Sequence, residues 1–188
     1  MEIPQELVER CKKLELLLYC GSELEDIRFF RLWMKLKETG DLKRMMIPDN
    51  HTPYKMMSVF QAPTTTLYAL DENNDICFLF WVSPSSGFID DKTVLCGYWV
   101  DKRKRKSKRM LKLTSLVYEL VFSHYHYCIG ITWQKDLLHP HEYIGYSVTG
   151  YVESLYGVKD VYFVILRRQD FYKSRFYKVV RHSERLKR

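Results

Sequence analysis

The chain has 188 residues, of which 46% are hydrophobic and 15% aromatic, and it carries a formal net charge of +7. That length suits one domain with a sizeable core, and the aromatic content excludes a largely disordered chain. No apolar run approaches the roughly 20 residues that span a bilayer, which excludes a helical membrane anchor.

The sequence begins Met1-Glu2-Ile3-Pro4, without the basic and apolar regions of a secretion signal, so a cytoplasmic location is expected. Cys11, Cys20, Cys77, Cys96 and Cys128 are odd in number, widely spaced and free of any C-x-x-C pair. They read as buried thiols in a reducing compartment, with neither a disulfide framework nor a metal site.

In chain order, Leu7, Val8, Cys11, Leu14, Leu17 and Leu18 form an apolar stripe that predicts a helix over 5–19, ended by Gly21. Ser22, with Glu25 three residues on, predicts a capping box for a second helix through Ile27, Phe29, Phe30, Leu32, Trp33 and Leu36. Thr39-Gly40-Asp41 closes it. Residues 41–64, with three prolines, read as a connector holding one short helical turn.

Thr65 to Leu70 and Ile76 to Val82 predict a hairpin across the turn cluster Asp71-Glu72-Asn73-Asn74. Ser83 to Gly87 reads as a loop, and Lys92 to Val100 as a third strand. Lys102 to Arg109 follows, with only Ser107 uncharged, and then an apolar helical spacing from Met110 to Val121. Tyr127 to Thr132 reads as a buried strand, so strand, loop, helix and strand form a right-handed crossover between parallel neighbours. A shorter helix is expected from Gln134 to Tyr143, bent or restarted at Pro140 and stopped by Gly145. Strands at Tyr146–Glu153 and Val158–Leu166 complete the series. No repeat or low-complexity linker interrupts it, so one domain over 1–167, with its core at 64–167, and a basic tail over 168–188 are expected.

This order of elements resembles the GNAT superfamily of N-acyltransferases, and three segments carry the resemblance. Thr93 to Val100 followed by Asp101 looks like the strand that leads into the coenzyme loop. Lys108 to Phe122 looks like the long helix after it. His141-Glu142-Tyr143-Ile144-Gly145-Tyr146 is similar to the family's Y-E-K-L-G-F signature. The resemblance, most of all to divergent acyltransferase-like proteins of bacterial viruses, implies an α/β fold: a GNAT-like mixed central sheet flanked by helices, with two N-terminal helices and a basic C-terminal tail. It further implies transfer of an acyl group from acetyl-CoA or another acyl-CoA to an amine.

The family's coenzyme loop carries Arg/Gln-x-x-Gly-x-Gly/Ala, whose amides hold the pyrophosphate at a helix N-terminus. Here Arg105 falls at the first position, while Lys108 and Met110 replace the glycines. Arg105, Lys106, Ser107, Lys108 and Arg109 are therefore the phosphate candidates, with the backbone of Tyr98, Trp99 and Val100 beside the reacting carbonyl and Gln134 on the coenzyme arm. At the position of the family's tyrosine acid stands His141, with Tyr143 and Tyr146 nearby as substitutes.

Each of these has a plainer reading: a solvated loop, a helix cap, a packed ring. The alternative function is a catalytically inactive GNAT-like protein that binds nucleic acid or joins a protein assembly, in a virion or in the cytoplasm. An anionic partner of some kind is expected in either case. The tail, with Phe171, Tyr172, Phe176 and Tyr177 among its cations, fits nucleic acid, a partner protein or its own domain.

Overall fold

The computed structural model describes residues 3–44, 52–61, 66–84, 91–105, 107–155 and 159–185. The chain divides into two compact units: residues 1–82 with 98–113, and residues 83–97 with 114–188. Seven strands join in one mixed sheet of order β1-β2-β3-β4-β5-β7-β6. The strands are β1 (Leu17–Cys20), β2 (Thr66–Leu70), β3 (Ile76–Pro84), β4 (Thr93–Val100), β5 (Tyr127–Thr132), β6 (Ser147–Leu155) and β7 (Lys159–Arg167). Among the described residues no helix is long and apolar enough to cross a membrane.

In the first unit, helix α1 (Gln5–Lys12) is shorter than the apolar stripe predicts. The chain reverses at Glu15, whose φ is +56°, and the Leu16 amide donates back to the carbonyl of Cys11. Leu17 to Cys20 then pair antiparallel with Leu67 to Leu70 as β1. A short apolar run satisfies helical and extended periods alike, and here no glycine marks the turn. The expected capping box also moves. Glu23, not Glu25, reaches back to the amide of Cys20, and helix α2 (Asp26–Thr39) starts with Glu25 as its cap residue.

Gly40 ends α2 in the left-handed conformation, as expected. The connector holds more helix than one turn: α3 (Asp41–Arg44) and α4 (Pro53–Phe60), the latter capped by Thr52 with Pro53 in its first turn. Phe29, Leu32, Trp33, Leu36, Phe60, Tyr68, Leu79 and Trp99 form this unit's core.

In the second unit, β4 pairs parallel with β5 from Thr93 to Leu95, opposite Tyr127 to Ile129. The connecting helix α5 (Lys108–His124) spans both units, and its second half packs here. Tyr118 and Phe122 lie against Phe171, which is fully buried with Phe176 beside it. A 3₁₀ turn at Lys135–Leu137 precedes α6 (Leu138–Ile144). Pro140 sits in the first turn of α6, where its missing N–H leaves no helical bond unmade.

Gly145 has φ +111°, and a Cβ there would stand 2.9 Å from the carbonyl oxygen of Asp170, so no other residue fits without displacement. Within the basic tail, residues 168–185 form α7 (Arg168–Lys173) and α8 (Arg175–Arg185), and Phe171, Phe176 and Val180 are buried.

Candidate functional site

The turn between β4 and α5 lies in the first unit. It carries the phosphate candidates, and most of its cations are already matched. Asp101, which follows β4, accepts from the Arg103 amide and guanidinium and pairs with Lys35. Burial alone would raise its pKa, but these donors hold it down to about 2.

Lys104 pairs with Asp71 and, at 3.3 Å, with Glu72. Asp71 also accepts the amides of Asn73 and Asp75, so it shapes the β2–β3 turn and anchors the basic loop at once. Burial opposes its charge, and these bonds keep its pKa below the ordinary value. Arg105 donates to the carbonyl of Val100 at 2.9 Å and to Asp41 at 2.8 Å. Asp41 is 1% exposed and also accepts the indole N–H of Trp99 at 2.8 Å. Arg109 pairs with Glu15 and, at 3.5 Å, with Glu72.

Ser107 caps α5: its hydroxyl accepts the Met110 amide at 3.2 Å, and its own amide donates to Lys104. Met110, at a glycine position of the family's loop, is buried. Lys108 is exposed in the first turn of α5, the end where backbone amides and the helix dipole favour anions. Lys102 is exposed as well, and Lys106 lies outside the described residues. Tyr98 is half-buried, and the Trp99 ring belongs to the core, so only the Trp99 backbone is open to a catalytic role.

The second unit holds the acid candidates. Tyr146 is buried, and its hydroxyl sits 3.2 Å from the Cys96 thiol and 2.9 Å from the Tyr118 hydroxyl. Burial, the adjoining Cys96 and Tyr118 push its pKa well above the ordinary tyrosine value, so it stays protonated. Cys96 is the first β4 residue past the β5 pairing. Contacts with the Cys128 thiol and the Tyr146 hydroxyl hold its pKa below the ordinary thiol value, while Cys128 is pushed up by the same contact and by burial. Cysteine 96 was not among the sequence candidates, and its partner lies 50 residues away in the chain.

His141 packs edge-on against Tyr146, with ring centroids 5.1 Å apart, and its Nδ1 meets the carbonyl of Leu137. Burial lowers its pKa, so the ring is neutral near pH 7. Tyr143 stands edge-on to Phe176 at 5.9 Å. Gln134 precedes the 3₁₀ turn, and its Oε1 is buried with no hydrogen-bond partner among the described residues.

No protein-family model matches the chain, and no curated protein does. Solved structures do. The spermidine N-acetyltransferase from Vibrio cholerae, in complex with CoA and spermine, superposes with a TM-score of 0.65 at 9% identity, covering 84% of this chain and 98% of that one. A GNAT-family acetyltransferase from Bacillus anthracis gives 0.62 at 12% identity, over 82% and 96%. The aminoglycoside acetyltransferase AAC(6')-Ib, in complex with coenzyme A, gives 0.59 at 14%, over 85% and 99%. The chain thus has the mixed α/β fold of the GNAT acetyltransferases, as the order of its elements implied.

Proposed function

We propose that the protein is a divergent GNAT-like N-acyltransferase that takes its acyl group from an acyl-CoA and passes it to an amine. The observation that carries this reading is Tyr146: a protonated, buried hydroxyl joined to Cys96 of β4, in a fold shared with acetyltransferases solved with CoA. The coenzyme supplies an activated thioester carbonyl and a thiolate leaving group.

Within the first unit, Lys108, Ser107 and the first-turn amides of α5 bind phosphate. Lysine 108 acts as a point charge where the family uses bare backbone. Arg105 is a positioning residue, since its guanidinium is spent on Asp41 and Val100. Arg109 is likewise held by carboxylates. A backbone N–H from Tyr98 to Val100 stabilises the oxyanion.

Within the second unit, Tyr146, in hydrogen-bond contact with Tyr118 at 2.9 Å, would hold the proton that the thiolate takes as the C–S bond breaks, while the attacking amine would lose its proton to solvent as the C–N bond forms. His141 orients the Tyr146 ring and does not itself donate, because its accessible form is neutral. Tyr143 packs α6 on α8. The Gln134 carbonyl oxygen, which has no hydrogen-bond partner among the described residues, accepts an amide N–H of the coenzyme arm.

One observation favours a second reading, a binding protein without acyl chemistry: Ser107 already caps the Met110 amide, which a phosphate would otherwise take. Calorimetry with acetyl-CoA decides between the two. We expect saturable binding that weakens about tenfold in Lys108→Ala, the loss of one charge-assisted contact, together with a Tyr146→Phe variant that binds normally and turns over at least about a hundredfold more slowly. Absence of binding at millimolar coenzyme would leave the second reading.

A further inference from the structure

The formal charge of the chain is concentrated at one end. From Arg167 to Arg188 there are nine lysines and arginines against two carboxylates, an excess equal to the whole chain's +7, so the preceding residues are neutral in sum. In the structure residues within 172–183 line a surface groove of about 890 Å³ formed by α8 and the end of α7. Phe176 and Val180 turn inward, so α8 presents Arg175, Lys178, Val179 and His182 to solvent.

Arg175, Lys178 and His182 recur at helical spacing on one face, over about 10 Å of helix axis. None of them forms an ion pair among the described residues. Arg181 does: Glu119 holds it at 3.0 Å, and it lies over the Tyr177 ring at 5.3 Å. Beside the cations stand Tyr172 and Tyr177, half-buried and edge-on to each other at 5.0 Å. Ser174, which accepts the Tyr177 amide at 3.1 Å, breaks α7 from α8 and brings the two rings together.

We infer that this groove binds single-stranded nucleic acid, with Arg175, Lys178 and His182 meeting phosphates and the rings of Tyr172 and Tyr177 meeting unstacked bases. The occupant follows from complementarity. Arg175 and Lys178, which form no ion pair among the described residues, select a polyanion, and the rings set beside them select one that carries flat apolar groups between its charges. An acidic peptide or a lipid headgroup would use the charges and leave the rings idle. A duplex hides its base faces. The inference uses no residue proposed for acyl transfer, so either can fail alone.

The test is fluorescence anisotropy of the full-length chain with a labelled single-stranded oligonucleotide of about 20 nucleotides, from about 50 to 200 mM salt. Binding should fall steeply with salt. Arg175→Glu/Lys178→Glu should weaken it about tenfold or more, and Arg175→Gln/Lys178→Gln, which also removes both phosphate contacts, should flatten the logarithmic salt slope by about 1.4. Both positions are exposed, so folding should be retained, which a thermal melt checks. Lys102→Glu, in the β4–α5 turn, should change nothing. Inorganic polyphosphate of equal charge should compete poorly, because it has no bases.

The inference is overturned by absence of binding at low salt, or by equal loss in the Lys102→Glu variant. It also fails if polyphosphate competes as well as the oligonucleotide. Capture by phosphatidylserine vesicles in place of oligonucleotide would assign the face to a membrane surface.

Discussion

Two stretches of this chain are equally basic in sequence and opposite in structure. Seven of the eight residues from Lys102 to Arg109 are cations, and the last 22 residues hold nine. In the first stretch Arg103, Lys104, Arg105 and Arg109 each meet a carboxylate, and three of those carboxylates, Asp41, Asp71 and Asp101, are buried. In the second, the described ion pairs are Arg167 with Asp170 and Arg181 with Glu119, and the cations at 175 and 178 face solvent. A run of like charges is therefore no measure of available charge. The first stretch holds the fold together at the turn into α5. In the second, Arg175 and Lys178 form no ion pair among the described residues.

The contrast breaks most visibly at Asp41. Its carboxylate serves Arg105 and the Trp99 indole at once. Asp41→Ala would leave a buried N–H without an acceptor and a guanidinium without its counter-charge. We expect a loss of about 3 kcal/mol in urea unfolding, the range for removing one partner of a buried pair. A loss under about 0.5 kcal/mol would mean that the turn is not anchored there.

Acid should act in the same direction with a smaller effect. Asp101 has its pKa lowered to about 2 in the folded state, against 3.8 for an unperturbed aspartate. Its contribution is therefore present above about pH 4 and is lost as pH falls toward 2. It amounts to about 2 kcal/mol for a group this buried. Asp71 is lowered too and adds to the same acid limb. Unfolding measured from pH 6 down to 3 should show stability falling, and Asp101→Asn, less stable at pH 6, should show a shallower fall. A parallel slope in that variant would assign the acid sensitivity elsewhere.

How far the sequence carried the reading follows from distance along the chain. The strand–turn–helix–strand unit from Thr93 to Thr132 is local, and its periodicity and turn residues were legible; so was the Gly145 stop. β1 was not, because Leu17 to Cys20 become a strand only by pairing with residues about 50 positions on. The neutralisation of the loop was hidden for the same reason. Arg105 and Asp41 lie 64 residues apart, and Lys104 and Glu72 lie 32 apart. In the candidate site, Tyr146 was visible through its signature, whereas Cys96 had no motif and gains meaning only from the hydroxyl beside it. The tail's two helices were obscured by their charge: a 3.6-residue pattern of Phe176, Val180 and their neighbours is thin among so many cations.

The smallest expected effect sharpens the comparison from the other side. Reversing Arg175 and Lys178 to glutamate removes no ion pair among the described residues and uncovers no apolar surface, since both side chains are exposed at positions that face away from Phe176 and Val180. Stability should therefore change by no more than about 0.5 kcal/mol, the range for surface substitutions. Relief of repulsion within α8 even favours a slight gain at low salt. The same reversal at Arg103 and Arg105 should cost several times more, because Asp101 and Asp41 would face like charges in a buried setting. Matched urea titrations of the two double variants measure the difference directly. If both pairs cost the same, the distinction between charges that hold the fold and charges that await a ligand would collapse. If they differ as expected, Arg175 and Lys178 are charges that folding does not use, while Arg103 and Arg105 are charges that it does.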